Sequence, residues 1–272
     1  MSIEEIMCIV LAAFICELID SSLGMLYGTI LSPALIIAGY DPLLVVPSIL
    51  LSQAFGSLIA SLQHHRLNNA SFGLKHEVKK PKSGKDLISI FRHDTSQDLK
   101  VVVVITVTGI IATIIAALTA VHIPKDILKT YIGVLVLCMG IILLLKNRYS
   151  FSWKKMFGVG LVSAFNKGMS GGGFGPVVTS GQIISGRSVK KSIGATALSE
   201  APICITGFVS YWLLNGMADW NLLLFLSIGS IAGAFLGPNI TAKITSEKKL
   251  VFSLGIIVSL LGIWTLLKTW VI

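Results

Sequence analysis

The chain has 272 residues, 54% of them hydrophobic and 13% charged, with a formal net charge of +9. Soluble domains carry about 25% charged residues to clothe a hydrated surface, and a mean hydropathy of +0.84 leaves this chain too few for that. The composition argues against a soluble enzyme, a disordered chain or a nucleic-acid binder, and for an all-α integral membrane protein.

The amino-terminal stretch Met1–Met7 carries Glu4 and Glu5. It has neither the positive start nor the small-residue cleavage site of a signal peptide, so the first apolar segment is expected to stay in the mature protein. That segment, Ile3 to Ala38, is apolar but interrupted by Glu17, Asp20, Gly24, Gly28 and Pro33. It reads as a pair of short helices around a non-helical turn, because glycine and proline end helices readily. Freed backbone groups at membrane depth must be buried or line a cavity.

Leu43–Gln63 follows without a charge and is long enough to cross a bilayer, which takes about 20 apolar residues. His64-His65-Arg66 at its end reads as an interfacial anchor, and 66–100 reads as a hydrophilic loop with eight basic residues. Val101–Val121 and Ile127–Leu145 are the next crossing helices, the second holding Lys129. Trp153–Ser185 is broken again, by Lys167, Gly171-Gly172-Gly173, Gly175 and Pro176. Three more crossing helices complete the chain: Ser192–Ala218 with Glu200, Trp220–Ala242 and Val251–Leu267. Gly229, Gly233 and Gly237 form a small-residue ridge for close helix packing, within the bundle or between subunits.

The two broken regions correspond. An offset of 147 residues overlays Gly24 on Gly171, Gly28 on Gly175, Gly39 on Gly186 and Leu51-Ser52 on Leu198-Ser199. Further on, an offset of 122 overlays Gly133 on Gly255, Gly140 on Gly262 and Lys146 on Lys268, the polar insert absorbing the difference. The chain is therefore expected to be a duplication, 1–146 and 147–272. Each half would hold one broken pair and three crossing helices, about eight to ten membrane segments in all.

Eighteen of the 22 basic residues lie in four connections: 66–100, 146–155, 187–191 and 243–249. The positive-inside rule puts these in the cytoplasm of a multi-pass protein of the cell membrane. With that parity Leu43–Gln63 and its counterpart Ser192–Ala218 run in opposite directions, so the repeats are expected to be inverted, with a substrate site at the midplane between them. The basic charge is then a topological bias, and no nucleic-acid partner is expected.

Several residue types carry the chemistry. The run Ser170 to Gly175 lets the backbone present N–H groups at the start of the next short helix, and Ser21-Ser22 to Thr29 offers the equivalent in the first half. Helix N-termini combine free donors with partial positive charge and so bind oxyanions. Two such termini face to face would cage a small oxyanion; the alternative is that the glycines only permit close packing. Ser21, Ser22, Gly24, Gly28, Thr29, Lys167, Ser170, Gly171, Gly172, Gly173 and Gly175 are the candidate substrate-binding residues. Lys167 overlays Asp20, and an intramembrane charge needs a partner or a wet cavity. A Lys167–Asp20 pair is expected, with direct contact between Lys167 and the anion as the alternative. Glu200, whose counterpart is Gln53, is a charge-pair or proton-coupling candidate alongside Asp20. Glu17 is expected near the outer surface. Cys8, Cys16, Cys138 and Cys204 lack metal or disulfide spacing and read as small buried side chains. No metal, cofactor or catalytic group is expected.

The segments ELIDSSLGMLYGTILSP (17–33) and FNKGMSGGGFGP (165–176), in corresponding places of the two halves, resemble the sulfite exporter TauE/SafE family. The first half departs from that family's glycine-rich pattern at Leu23-Gly24-Met25-Leu26. The resemblance implies a membrane exporter or permease of sulfite, organosulfonates or related sulfur anions, embedded in the lipid bilayer. Alternatives are a small-anion channel, or a permease importing a sulfur anion or small carboxylate by proton coupling. A homodimer is compatible with the sequence.

Overall fold

A computed structural model of the chain describes residues 2–73, 95–144, 152–184, 187–216, 219–243 and 248–271. Most of the basic insert, the boundary between the halves at 146/147, Gly186 and the predicted helix ends Leu145 and Ala218 lie outside them.

All described elements are α-helices. The first half contains α1 (Ile3–Leu23), α2 (Tyr27–Ile37), α3 (Pro42–Arg66), α4 (Gln97–His122) and α5 (Lys125–Leu144). The second contains α6 (Trp153–Ser170), α7 (Phe174–Ile184), α8 (Val189–Asn215), α9 (Trp220–Lys243) and α10 (Lys248–Trp270). Five of them, α1, α3, α4, α8 and α9, are long and apolar enough to cross a membrane. In α1 this exceeds the sequence reading. The predicted break falls at Gly24, so 21 residues form a full-length helix rather than a short one.

Local chemistry sets the ends. Ser2 and Glu5 form a reciprocal capping box on α1, with Ser2 N donating to Glu5 (2.9 Å) and Glu5 N to Ser2 Oγ (3.1 Å). Asp41 Oδ1 accepts from Leu43 N and Ser96 Oγ from Leu99 N, so α3 starts one residue and α4 four residues before their uncharged stretches. The pairs α1/α2 and α6/α7 each break at a glycine in the left-handed region, Gly24 and Gly171, both at φ 72°. That conformation costs an L side chain and suits glycine.

Helices pack in a crossed pattern between the halves. Helix α1 lies along α9 and its counterpart α6 along α4; α3 packs on α8 and on α9, α8 on α4, and α5 on α10. The glycine ridge of α9 is what lets α1 approach. A β-carbon on Gly229 would sit 2.7 Å from the Ala13 β-carbon, and one on Gly233 would sit 2.6 Å from the Phe14 carbonyl oxygen. The ridge thus works inside the bundle. Side chains such as Leu11, Ile111, Ile115, Leu213, Phe235 and Leu260 are exposed on the outside, as lipid-facing positions require. Cys8 and Cys138 share that outer face, against the expectation of burial, while Cys16 and Cys204 are buried. Both exposed thiols sit on helix faces that no neighbouring helix covers, which composition alone does not reveal.

Candidate functional site

The two broken turns meet in the middle of the bundle. Residues 24–29 and 171–176 pack backbone to backbone. A β-carbon on Gly28 would lie 2.5 Å from the Gly171 carbonyl carbon, one on Gly172 2.7 Å from Thr29 N, and one on Gly175 2.6 Å from the Met25 Cα. Hydrogen bonds stitch the halves together: Gly173 N donates to Thr29 Oγ1 (3.0 Å), and Thr179 Oγ1 to the Gly24 carbonyl (2.7 Å). Ser170 Oγ accepts from Gly172 N at 3.0 Å.

The structure therefore brings Gly24, Gly28, Thr29, Ser170, Gly171, Gly172, Gly173 and Gly175 together, but as a closed contact rather than an open cage. Chain oxygens take donors that an anion would use. The clearest case is Tyr27 N at the start of α2, which donates to Asp20 Oδ1 at 3.1 Å, so this helix terminus already holds a carboxylate. Ser21 and Ser22 do not join the turn. Ser21 Oγ donates to the Glu17 carbonyl (2.6 Å) and Ser22 Oγ to the Leu18 carbonyl, both back onto α1. Hydroxyls in a helix commonly bond the carbonyl four residues earlier, which the spacing of these serines permits.

Leu26 is the unexpected member. It occupies φ 110° while 1% exposed, and its counterpart is Gly173 at φ 76°. Leu26 thus carries a β-carbon in a conformation that suits glycine, at a strain of about 1–3 kcal/mol. Burial of the leucine in the main apolar cluster offsets it.

Beside the turns four polar side chains form a chain of contacts. Lys167 Nζ lies 2.9 Å from Glu200 Oε1, with side chains 1% and 3% exposed. The same ammonium donates to Gln53 Oε1, and Gln53 Nε2 donates to Asp20 Oδ2 at 3.1 Å. Ser57 Oγ donates to the other Glu200 oxygen at 3.4 Å. Under the 147-residue offset Asp20 answers to Lys167 and Gln53 to Glu200, so the set consists of two counterpart pairs. The expected direct Lys167–Asp20 pair is corrected here. The ion partner of Lys167 is Glu200, and Asp20 is reached through the Gln53 amide, which accepts at one end and donates at the other.

Three groups are buried where residue order alone does not place them. Gln53 is in sequence the neutral counterpart of Glu200, and that overlay is the signal that it lies at the centre. Glu17, expected near the outer surface, is 1% exposed and accepts from Ser230 Oγ of α9 at 3.2 Å. His64, expected as an interfacial anchor, is fully buried. Its Nε2 donates to the Ser21 carbonyl at 2.9 Å and its Nδ1 accepts from Asn69 Nδ2 at 3.1 Å. It satisfies a carbonyl at the end of α1, where helices leave acceptors unpaired. On the side of the bundle where the basic connections lie, Arg187 and Asp98 form a further buried ion pair at 2.6 Å between the starts of α8 and α4. Among the described residues no group of three His, Cys, Asp or Glu side chains could hold a metal ion.

Two comparisons with known proteins bear on this arrangement. Residues 83–265 match the family model described as "Sulfite exporter TauE/SafE". A protein of Bacillus subtilis (strain 168) named "Probable membrane transporter protein YtnM" is 23% identical over 243 residues, covering 85% of this chain and 71% of that one. No solved structure matches. A buried charged network and a double glycine turn, set in a bundle of lipid-exposed helices, suit a membrane transporter. The family match spans well over half the chain, which belongs to the sulfite exporter TauE/SafE family.

Proposed function

We propose that this transporter is a secondary carrier of small sulfur oxyanions such as sulfite or organosulfonates, working by alternating access at the paired turns. The observation that carries the reading is the meeting of the two small-residue turns at Gly28 and Gly171-Gly172 beside buried Lys167. Separation of the turns would free the amides at the starts of α2 and α7, whose partial positive charge suits an oxyanion. Gly24, Gly28, Thr29, Ser170, Gly171, Gly172, Gly173, Gly175 and Lys167 are the residues we assign to the anion. Ser21 and Ser22 shape the end of α1 through their backbone. Asp20 and Glu200, each partnered, act in this reading as a charge chain with Lys167.

The halves 1–146 and 147–272 are inverted in this account, with the basic connections cytoplasmic and the cell membrane as the setting. The crossed packing of α1 on α9 and α6 on α4 supports two related halves that rock against each other. Close packing at the turns supports a carrier over an open channel. For an anion that crosses without a compensating proton, an inside-negative potential favours exit by about 2.3 kcal/mol per charge per 100 mV, which suits export.

The test is flux into reconstituted liposomes from a panel of sulfite, thiosulfate, sulfate, sulfoacetate and acetate. Saturable flux of at least one sulfur anion, with acetate excluded, is the expected result. Transport of none of the sulfur anions overturns the substrate assignment, and unitary currents in a planar bilayer would replace the carrier with a channel.

A further inference from the structure

Three carboxyl groups and one ammonium share the polar centre: Glu200 pairs with Lys167, Asp20 accepts from Tyr27 N and the Gln53 amide, and Glu17 has only a single serine. Glu17 on α1 is buried, with Oε2 bonded to Ser230 and Oε1 without a hydrogen-bond partner. Helix α3 leaves it room only because residue 56 is glycine: a β-carbon there would lie 2.8 Å from the Glu17 carboxyl carbon and 2.9 Å from Oε1. Facing or neighbouring ionisable groups are Cys16 and Asp20 on α1, Tyr27 on α2, Glu200 and Cys204 on α8, and Lys167 on α6. Helices α3 and α9 contribute the neutral Gln53, Ser57 and Ser230.

Lys167 is committed to Glu200 and Gln53. Among the described residues no cation pairs with Glu17, and an ionised carboxylate buried without partners costs several kcal/mol. A metal cation would need a shell of ligands, and among the described residues no group of three His, Cys, Asp or Glu side chains could hold one. A proton needs no shell.

The second half supplies an independent comparison. The counterpart of Glu17 is Ala164, fully buried between α6 and α4 near Gly109. The duplicated architecture therefore packs without an acid at this place, so the carboxyl is not a requirement of the fold.

We propose that Glu17 is the binding site of a coupling proton, carried together with the anion in one transport cycle. This rests on the carrier reading above. With Glu17 ionised, three carboxylates face one ammonium, and an anion approaching the adjacent turns is repelled. A proton from water on one side forms an O–H bond on the Glu17 carboxylate, lowers that repulsion and lets the anion bind. The same proton leaves to water on the other side, restoring the carboxylate with no change of oxidation state. A monovalent anion then crosses electroneutrally, and a divalent one carries one net negative charge.

The experiment uses the full chain in liposomes with the membrane potential clamped near zero and protein-free vesicles subtracting passive leak. An acidic exterior is expected to drive labelled sulfite inward above its equilibrium level, and a sodium gradient is not. Glu17→Gln should lower this pH-driven accumulation by on the order of tenfold, within the usual range of coupling between sites. Exchange of labelled for unlabelled sulfite at equal pH should survive. Glu17→Ala, which installs the residue of the second half, should behave the same way and guards against a misfolded glutamine variant. Sulfite flux in the wild type that ignores the pH gradient, or that follows sodium instead, overturns the proposal while leaving the carrier reading intact. PH-driven accumulation retained in either variant also overturns it. Absence of any sulfur-anion flux would instead be a failure of the carrier reading.

Discussion

Gly28→Ala should abolish anion flux while the protein still inserts and folds. The added methyl would lie 2.5 Å from the Gly171 carbonyl carbon, and its neighbours are backbone atoms that cannot rotate aside. Overpacking of this kind costs about 1–3 kcal/mol when side chains can yield, and here whole turns must part. A carrier that closes by bringing these turns into contact loses that state from its cycle. Gly158→Ala in α6 is the matched control, because nothing lies within 4 Å of its β-position. There alanine should leave flux unchanged and raise stability by up to about 1 kcal/mol through helix propensity. Flux assays paired with thermal unfolding in detergent separate the two cases. Wild-type flux in Gly28→Ala would remove turn closure from the mechanism.

Lys167→Met should be the most destabilising single change in the polar centre. It strips the ammonium from Glu200 and Gln53 and leaves the buried carboxyls of Glu200, Asp20 and Glu17 with no cation among them. Breaking a buried pair by removing one partner costs about 3–5 kcal/mol, whereas removing both partners is often close to neutral. The double variant Lys167→Met/Glu200→Gln should therefore unfold at a higher temperature than Lys167→Met alone, and that non-additivity is the signature of direct coupling. Flux should not return in the double variant, since the positive charge beside the turns is still missing. Additive effects on the unfolding temperature would contradict the pairing of Lys167 with Glu200.

Much of this was legible from residue order because the bilayer imposes simple rules. Uncharged stretches such as 43–63 and 101–121 had to be helices, and basic residues had to gather in connections. The overlay of Gly24 on Gly171 marks both left-handed caps, since a residue without a β-carbon suits that position best. What could not be read was which face of each helix turns inward. In a membrane bundle the outside is as apolar as the inside, so periodicity does not separate them; Glu17, His64 and Cys8 were misplaced for that reason. The Lys167–Glu200 pair was missed because a 147-residue offset states which positions are counterparts but not which of them touch. Closure of the two turns depends on helix packing between the halves, α1 on α9 and α6 on α4, and no local motif encodes that distance.

If the paired turns receive the anion, their backbone amides should be protected when it binds. Hydrogen–deuterium exchange on the reconstituted protein, with and without sulfite, tests this without any substitution. Amides in 23–29 and 170–176 should exchange more slowly with sulfite than with chloride, and both segments should respond together because each contributes one side of the site. Sulfite transport accompanied by unchanged exchange in both segments, or by protection confined to a different region, would contradict the account.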